Sequence, residues 1–489
     1  MALFDVFRRN GKQKPQQRNY AAASVGRLFS DFVGSERSAD AELDGALVKI
    51  RSRTRELARN NEYARRYLDL LKTNVVGERG FSLQSKARGG DGRLDASGNA
   101  AVETAWRRWG ELGSPTVDGR MSWIDAQRLT IEGLARDGEI FVVLHRGNQF
   151  RDSFAIEFIE PDQVDEQKTE DLPDGGSIRM GVEMDKFRRP VAYHVRTKHP
   201  GDTHLATSSY GETRRIPADE MVHVFVPLRA GQSRGEPWMT SALSSIRQLG
   251  ALREAAIVNA RVGASKMAFF TSPTGDGFVP DDLIDGVPAM SASPGEMMQL
   301  PAGVSVQTVD WAYPNNEFDG FHKACLKSIA SGLGVSYTSL SNDLEATSYS
   351  SIRQGALEER DHYRMLQRFM LDHFVQPIFD AWLSASMELS AFGIPIRQYD
   401  RFREASTFRG RAWSWVDPQK EMNAALNGMR NGVLSLQDVA ANYGKDVEEL
   451  LSQIARDRDL MEQFGVQYAL EPYGATQFPV DPEIHGDDG

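Results

Sequence analysis

The chain has 489 residues, 40% apolar and 26% charged, with a formal net charge of −11 and one cysteine, Cys325. That length suits about three domains of ordinary size, and the apolar share is too high for a disordered chain. A lone cysteine excludes an intramolecular disulfide framework and a cysteine-rich zinc site, and no apolar run approaches the roughly 18 residues of a membrane span.

Residues 1–39 lack a sustained period and read as a flexible N-terminal arm. In "MALFDVFRRNGKQK" the apolar residues precede the basic ones, the reverse of a secretory signal, so a soluble, cytosolic product is expected. From Asp40 to Val76 the positions Leu43, Leu47, Ile50, Leu57, Ala64, Leu68, Leu71 and Val75 mark the stripe of an amphipathic helix or a broken pair of helices. "RNN" at Arg59–Asn61 offers the break and Gly77 the end. "GFSLQSKA" predicts a short strand, Ala100–Trp109 a helix, and "SWIDAQRLTIEGLARDGE" a second helix with Ser122 as N-cap. "EIFVVLHRG", "FAIEFIEPDQV", "IRMGVEMDKFRRPVAYHVR" and "MVHVFVP" are β-type runs separated by turn residues, with "MDKFRRP" as a hairpin turn. The fold class is therefore α+β, dominated here by antiparallel strands.

After Pro227 the pattern changes. Pro237 suits the first turn of a helix whose stripe, Leu243, Ile246, Leu249, Leu252, Ala256 and Ala260, runs to about Ser265. A β-rich module of short strands and Pro/Gly turns follows. A second helix is expected from Glu317 to about Leu333, and a third from Tyr349 to Ala385 that Pro377 should kink. Between these two lies "SNDLEATSYSSIRQG", a polar segment with two carboxylates but no His, Cys or phosphate cradle. From Asp417 onward the chain is helical and acidic: five Lys/Arg stand against fourteen Asp/Glu, whereas Met1–Lys72 holds fifteen against nine. The two ends thus face different surroundings.

Catalytic signals are thin. Walker-type, H-E-x-x-H, G-x-S-x-G and C-x-x-C motifs do not occur. His322 and Cys325 share a helix face, which fits a base and nucleophile but fits a packed cysteine better. His194, His199 and His204 cluster around "KHPGD" with thin support for a metal. "EFIEPDQVDEQKTED" suits a divalent cation or simply a solvated loop. Lys49, Arg51, Arg53 and Arg55 suggest a weak nucleic-acid face, and Trp413 and Trp415 a packing hinge between domains. No cofactor, metal or catalytic residue is expected.

The order of the segments says more than any one of them. "RNNEYARRYLDLLKTNVVGERGF", "RDGEIFVVL", "IEFIEPDQV", "GVEMDKFRRPVAYHV", "KHPGD", "RIPADEMVHVFVPLRAGQSRGEPWMTSAL", "PGEMMQLPAG", "GLGVSYTSLSNDLEATSYSSIR" and "WSWVDPQKE" resemble, in that order, the portal proteins of lambda-type tailed bacteriophages, over roughly Asn60 to Glu421. The resemblance implies a structural, non-enzymatic subunit of a homo-oligomeric ring, usually a dodecamer, at one capsid vertex of the virion, assembled in the host cytoplasm. Double-stranded DNA would pass through it without sequence preference. Its partners would be the terminase large subunit, the major capsid and scaffold proteins and the head-completion or tail connector proteins, with no membrane involved.

In that scheme residues 40–235 form an α+β wing, 236–265 the first stem helix, 266–316 a β-rich clip and 317–338 the second stem helix. Residues 339–350 form a channel loop, 351–416 the long kinked helix and wing return, 417–470 a helical crown and 471–489 an acidic tail. The implied DNA-channel residues are Ser341, Asn342, Asp343, Glu345, Thr347 and Ser348. "YAAAS" at Tyr20–Ser24 is a candidate site of N-terminal processing. Competing readings are a minor capsid or adaptor protein of the virion, or a nucleic-acid enzyme of a mobile element.

Overall fold

The computed structural model describes residues 35–202, 212–264, 268–271, 283–284, 287–288, 305–308, 317–345, 348–389, 392–413, 418–443 and 447–465. The processing candidate at Tyr20–Ser24 and most of the segment 266–316 lie outside them.

Helix α1 (Ala39–Leu43) is capped by Ser38 and leads into α2 (Leu47–Asn60) and α3 (Glu62–Leu71). The break falls at Asn61, whose side chain accepts from the backbone N–H groups of Tyr63 and Ala64, both at 3.0 Å. After α3 the chain widens into one π-turn, Lys72–Val76, and stops at Gly77, which has φ +73°. The apolar stripe read from the sequence is the buried one: Leu47, Leu57, Ala64, Leu68, Leu71 and Val75 all face the core.

Strand β1 (Ser82–Ser85) is followed by α4 (Ala96–Trp109), capped by Asp95, and by α5 (Trp123–Asp137). Ser122 and Asp125 form a reciprocal capping box at the start of α5. Strands β2 (Glu139–Arg146) and β3 (Phe154–Ile159) come next, then β4 (Glu170–Asp171), β5 (Ser177–Arg179), β6 (Val182–Met184), β7 (Pro190–Arg196), β8 (Thr213–Pro217) and β9 (Met221–Phe225). They build an antiparallel sheet in the order β3-β2-β9 and a second in the order β4-β5-β6-β7-β8. Phe141, Tyr193 and Val195 help fill a core between them.

Helix α6 (Thr240–Ala264) rises from this body; its 25 residues at about 1.5 Å each make a rod of roughly 38 Å. Only its first part is packed: Ala242, Ile246 and Leu249 are buried, whereas Ile257 and Val258 are exposed. It begins three residues later than Pro237 suggests. Trp238 donates its N–H to the carbonyl of Ala135 (3.1 Å), so the chain at that point is tied to α5 rather than coiled. Beyond α6, strand β10 (Ala268–Thr271), the short pair β11 (Leu283–Ile284) and β12 (Val287–Pro288), and β13 (Ser305–Thr308) are described. β10 pairs antiparallel with β13 across the inserted module.

Helix α7 (Glu317–Leu333) returns along α6, where Ser241 Oγ donates to the Gly332 carbonyl at 2.9 Å. Then come α8 (Tyr337–Ser341), α9 (Tyr349–Met370), a π-turn at Leu371–Val375 and α10 (Gln376–Glu388). Pro377 has no N–H to donate back along the helix, so the ladder widens by one residue just before it and Gln376 N–H bonds Leu371 O. Helix α11 (Tyr399–Ala405) and strand β14 (Ser406–Arg409) close the body, with β14 pairing antiparallel to β1. The main core is aromatic: Trp106 lies 4.8 Å from Trp109 and 5.0 Å from Trp382, and Trp123 stacks on Phe374 at 5.2 Å. Helices α12 (Pro418–Arg430), α13 (Leu436–Asn442) and α14 (Val447–Gln463) follow.

Candidate functional site

The polar segment after α7 is more ordered at its roots than its composition suggests. Gly334, at φ +68°, ends α7, and Ser336 Oγ accepts from Ser339 N (3.2 Å) to start α8. Residues 339–341, expected in the loop, therefore belong to a short helix; its C-cap is Asn342 in the left-handed region at φ +56°. Residues 349 and 350 are likewise helical, because Ser348 Oγ accepts from Ser351 N (3.2 Å) and opens α9. Among the described residues between the two helices, 342–345 and 348 are non-helical.

Two side chains from elsewhere hold its base. Glu359, on α9, accepts from Ser336 Oγ (3.1 Å), Ser339 Oγ (2.8 Å) and the Tyr363 hydroxyl (2.9 Å). Arg66, on α3, donates to the Ser339 carbonyl (3.0 Å) and to Asn342 Oδ1 (3.2 Å). Both were invisible to sequence reasoning; Arg66 lies 273 positions from its carbonyl partner.

Of the sequence-predicted channel residues, Ser341 is half-buried and donates to the Tyr337 carbonyl at 2.7 Å. Asp343 accepts from the Tyr337 hydroxyl (2.7 Å) and the Glu345 N–H (3.1 Å), with Lys323 Nζ at 3.5 Å. Those three partners hold its carboxyl below the usual range, so it is ionised at neutral pH. Asn342, Glu345 and Ser348 are exposed, and Thr347 lies outside the described residues. Leu344, not anticipated, is 62% exposed at the tip. The exposed surface of the described loop is therefore small, polar or acidic, with one apolar side chain. Phosphate neutralisation calls for Lys or Arg, which the loop does not offer outward.

The other candidates resolve differently. Arg51, taken as part of a basic face, is fully buried: it donates to Glu139 (3.2 Å), Asp162 (3.0 Å) and Glu166 (2.6 Å). Arg55 pairs with Asp137 (2.6 Å) and Asp162 (2.5 Å). Two of the four basic residues thus find their counter-charges in the supposed cation loop, while Lys49 and Arg53 remain exposed. Asp162 does approach Glu160 and His199 closely enough to share an ion. Its carboxylate is already neutralised by two guanidinium groups, whose attraction holds it below its usual range against the cost of burial. His194 bonds Glu183 at 3.0 Å and stands apart from His199, while His204 lies outside the described residues. His322 stacks near Phe318 and Tyr63, and Cys325 packs against the main core. Trp413 stacks on Tyr363 and donates to Asn74 Oδ1 at 3.1 Å; Trp415 lies outside the described residues.

One arrangement was not foreseen at all. Glu139, the first residue of β2, is fully buried and accepts from Arg234 Nε (2.9 and 3.0 Å), Arg51, His223 Nε2 (3.0 Å) and the Gly235 N–H (2.9 Å). Arg234 also donates to the carbonyls of Met180 (2.6 Å) and Pro161 (3.0 Å). Here Gly138, at φ +91°, crosses Gly235 so closely that an added Cβ on Gly138 would lie 2.6 Å from Pro237 N. This knot joins α2, β2, β9 and the segment leading into α6, and so fixes the root of that rod.

Residues 25–367 match the family model described as phage portal protein, lambda family. The chain belongs to this family. It is 33% identical over 491 aligned residues to the probable portal protein of Halomonas phage phiHAP-1, covering 98% of this chain and 93% of that protein. Portal protein B of Escherichia phage lambda is 24% identical over 86% of this chain and 85% of its own length. Among solved structures, a chain from the virion of a native gene transfer agent particle aligns over 86% of this chain and 98% of its own, at 13% identity and a TM-score of 0.43. A member of the portal family is a structural part of the phage virion, serving as its head–tail connector. Among the described residues, no helix is long and apolar enough to cross a membrane.

Proposed function

We propose that this portal-family chain assembles as a ring, of twelve copies, at one capsid vertex, and that double-stranded DNA enters and leaves the head through the ring's channel. The observation that carries the reading is the family match over residues 25–367. In this scheme the α+β body would be the wing, α6 and α7 the stem, and the module holding β10–β13 the clip. Helices α12–α14 would form the crown, with the acidic tail beyond them. The terminase large subunit would dock during packaging and connector proteins afterwards; capsid and scaffold proteins would contact the outside. Assembly would take place in the host cytoplasm. A conduit of this kind needs no turnover, cofactor or metal.

The loop would face the channel, with Ser341, Asn342, Asp343, Glu345, Thr347 and Ser348 nearest the DNA. Its chemistry supports this role. DNA carries about one negative charge per 1.7 Å of axis, so a basic loop would grip the cargo, whereas hydroxyls and carboxylates let it slide. Glu359 and Arg66 would fix the base of the loop, leaving its exposed residues toward the channel.

Native mass spectrometry with negative-stain imaging tests the assembly. Twelve copies of a 54.5 kDa chain come to about 654 kDa. A ring with a central hole near that mass is expected; a monomer or dimer across salt and concentration would overturn the ring.

A further inference from the structure

A cavity of about 840 Å³ opens where the π-turn after α3 and strand β14 meet helix α14. Its wall carries Arg79, Arg409 and Arg411 against one carboxylate, Glu78, with Tyr443 and Leu450 among the other lining residues. A second cavity of about 220 Å³ adjoins it at Arg409–Ala412 and extends toward Arg364 and Trp413. Arg79 is exposed and has no ion-pair partner among the described residues. Arg411 spends one nitrogen on the Thr73 carbonyl. Burial, with a smaller push from the nearby Arg360, holds the Arg411 guanidinium below its usual range.

Two features identify what the cleft would take. Its volume is that of a ligand pocket, enough for several extended residues but too small to admit a duplex. Its guanidinium groups call for an anion, and Tyr443 and Leu450 beside them offer apolar contact that a bare phosphate would leave unused. The cleft therefore suits an acidic peptide. One lies close by in the sequence: residues 466–489 hold Glu471, Asp481, Glu483, Asp487 and Asp488, with no Lys or Arg, and also Tyr468, Tyr473 and Phe478.

We propose that this cleft is the docking site of the chain's own acidic C-terminal segment, residues 466–489, with carboxylates paired to Arg79 and Arg411 and its aromatic side chains against Tyr443 and Leu450. The reach is ample. Helix α14 itself contributes Leu450 and Gln453 to the lining, and twelve residues from Gln453 to Gly465 span about 18 Å. The 24 residues beyond can extend roughly 80 Å, so the segment folds back without strain, and tethering supplies an effective concentration in the millimolar range. Docking would join the α+β body to the acidic helical end through a contact that salt weakens.

Hydrogen exchange on the full-length chain tests this. Neutralising the segment (Glu471→Gln, Asp481→Asn, Glu483→Gln, Asp487→Asn and Asp488→Asn together) is expected to speed exchange over residues 73–84 and 406–412 about tenfold. Arg79→Glu and 1 M salt should do the same in the parent protein. Unchanged exchange in the neutralised variant overturns the proposal. A second arm guards against misfolding: in a Cys325→Ser background, Glu78→Cys with Asp481→Cys should cross-link under mild oxidation at low salt. Asp481→Cys with the exposed Arg368→Cys should not. Equal linking in both pairs overturns it. So would a duplex oligonucleotide that protects residues 73–84 equally in parent and neutralised chains, because the cleft would then be open to nucleic acid regardless of the segment.

Discussion

Replacing Glu139 by Gln would remove one charge from the centre of the buried knot while keeping its shape. The carboxylate now faces donors from every side: Arg234, Arg51, His223 and the Gly235 amide. Glutamine would put an NH₂ group against guanidinium N–H groups. Arg51 would retain Asp162 and Glu166, but Arg234 would keep only Glu166, at 3.6 Å, and two backbone carbonyls. Breaking a buried pair costs about 3–5 kcal/mol. Because Arg51 stays compensated, about 3–4 kcal/mol is expected. For a cooperative unit of about 200 residues the unfolding entropy is about 0.4 kcal/mol/K, so Tm should fall by about 7–10 °C. Calorimetry on the full chain measures this. The double substitution Glu139→Met with Arg234→Met should recover much of the loss, since it leaves no charge stranded on Arg234. A drop below 2 °C for Glu139→Gln, or full additivity in the double variant, would refute the view that Arg234 depends on this carboxylate.

Gly138→Ala should destabilise by about 3 kcal/mol, because the new Cβ meets the Glu236–Pro237 backbone and the residue sits at φ +91°. Thermal melts would show it, with earlier proteolysis between residues 229 and 239. Acidification should destabilise the fold. His194, His223, His322 and His362 are all held below the usual histidine range, chiefly by burial. Each therefore binds fewer protons folded than unfolded, and stability is lost as pH falls through about 6.5. Chemical denaturation at pH 7.5, 6.5 and 5.5 checks the sign; a midpoint that rises on acidification would contradict it. Asp343→Lys with Glu345→Lys should slow DNA translocation several-fold in a packaging assay at low salt, with recovery as salt rises; an unchanged rate would mean that the loop does not meet DNA.

Local signals were legible where a few neighbouring residues decide the outcome. The break at Asn61, the capping box at Ser122 and the disturbance before Pro377 each follow from one side chain acting on backbone groups within four or five positions. The helix Glu317–Leu333 was readable because Gly334 supplies a left-handed stop. The loop was legible as polar but not as anchored: its short helix was missed because a run of hydroxyl residues has no apolar period. Its holdfasts come from α3 and α9. The start of α6 was misplaced for a similar reason, since the backbone there is claimed by Ala135 on another element.

What the sequence by itself determined is the succession of helices and strands and, through the order of its segments, membership of the portal family. Both are encoded in side-chain period and capping, which act over a turn or two. Which charges are free was decided only by the tertiary structure. Arg51 meets Glu139, Asp162 and Glu166 across 88, 111 and 115 positions, so one member of a basic stripe in the sequence becomes a buried, charge-paired joint in the fold while Lys49 and Arg53 stay exposed. The pairing of β1 with β14 belongs to the same class, joining Ser82 to Arg409. Coulomb attraction and hydrogen bonding depend on separation in space, and the chain sets that separation only once it has packed.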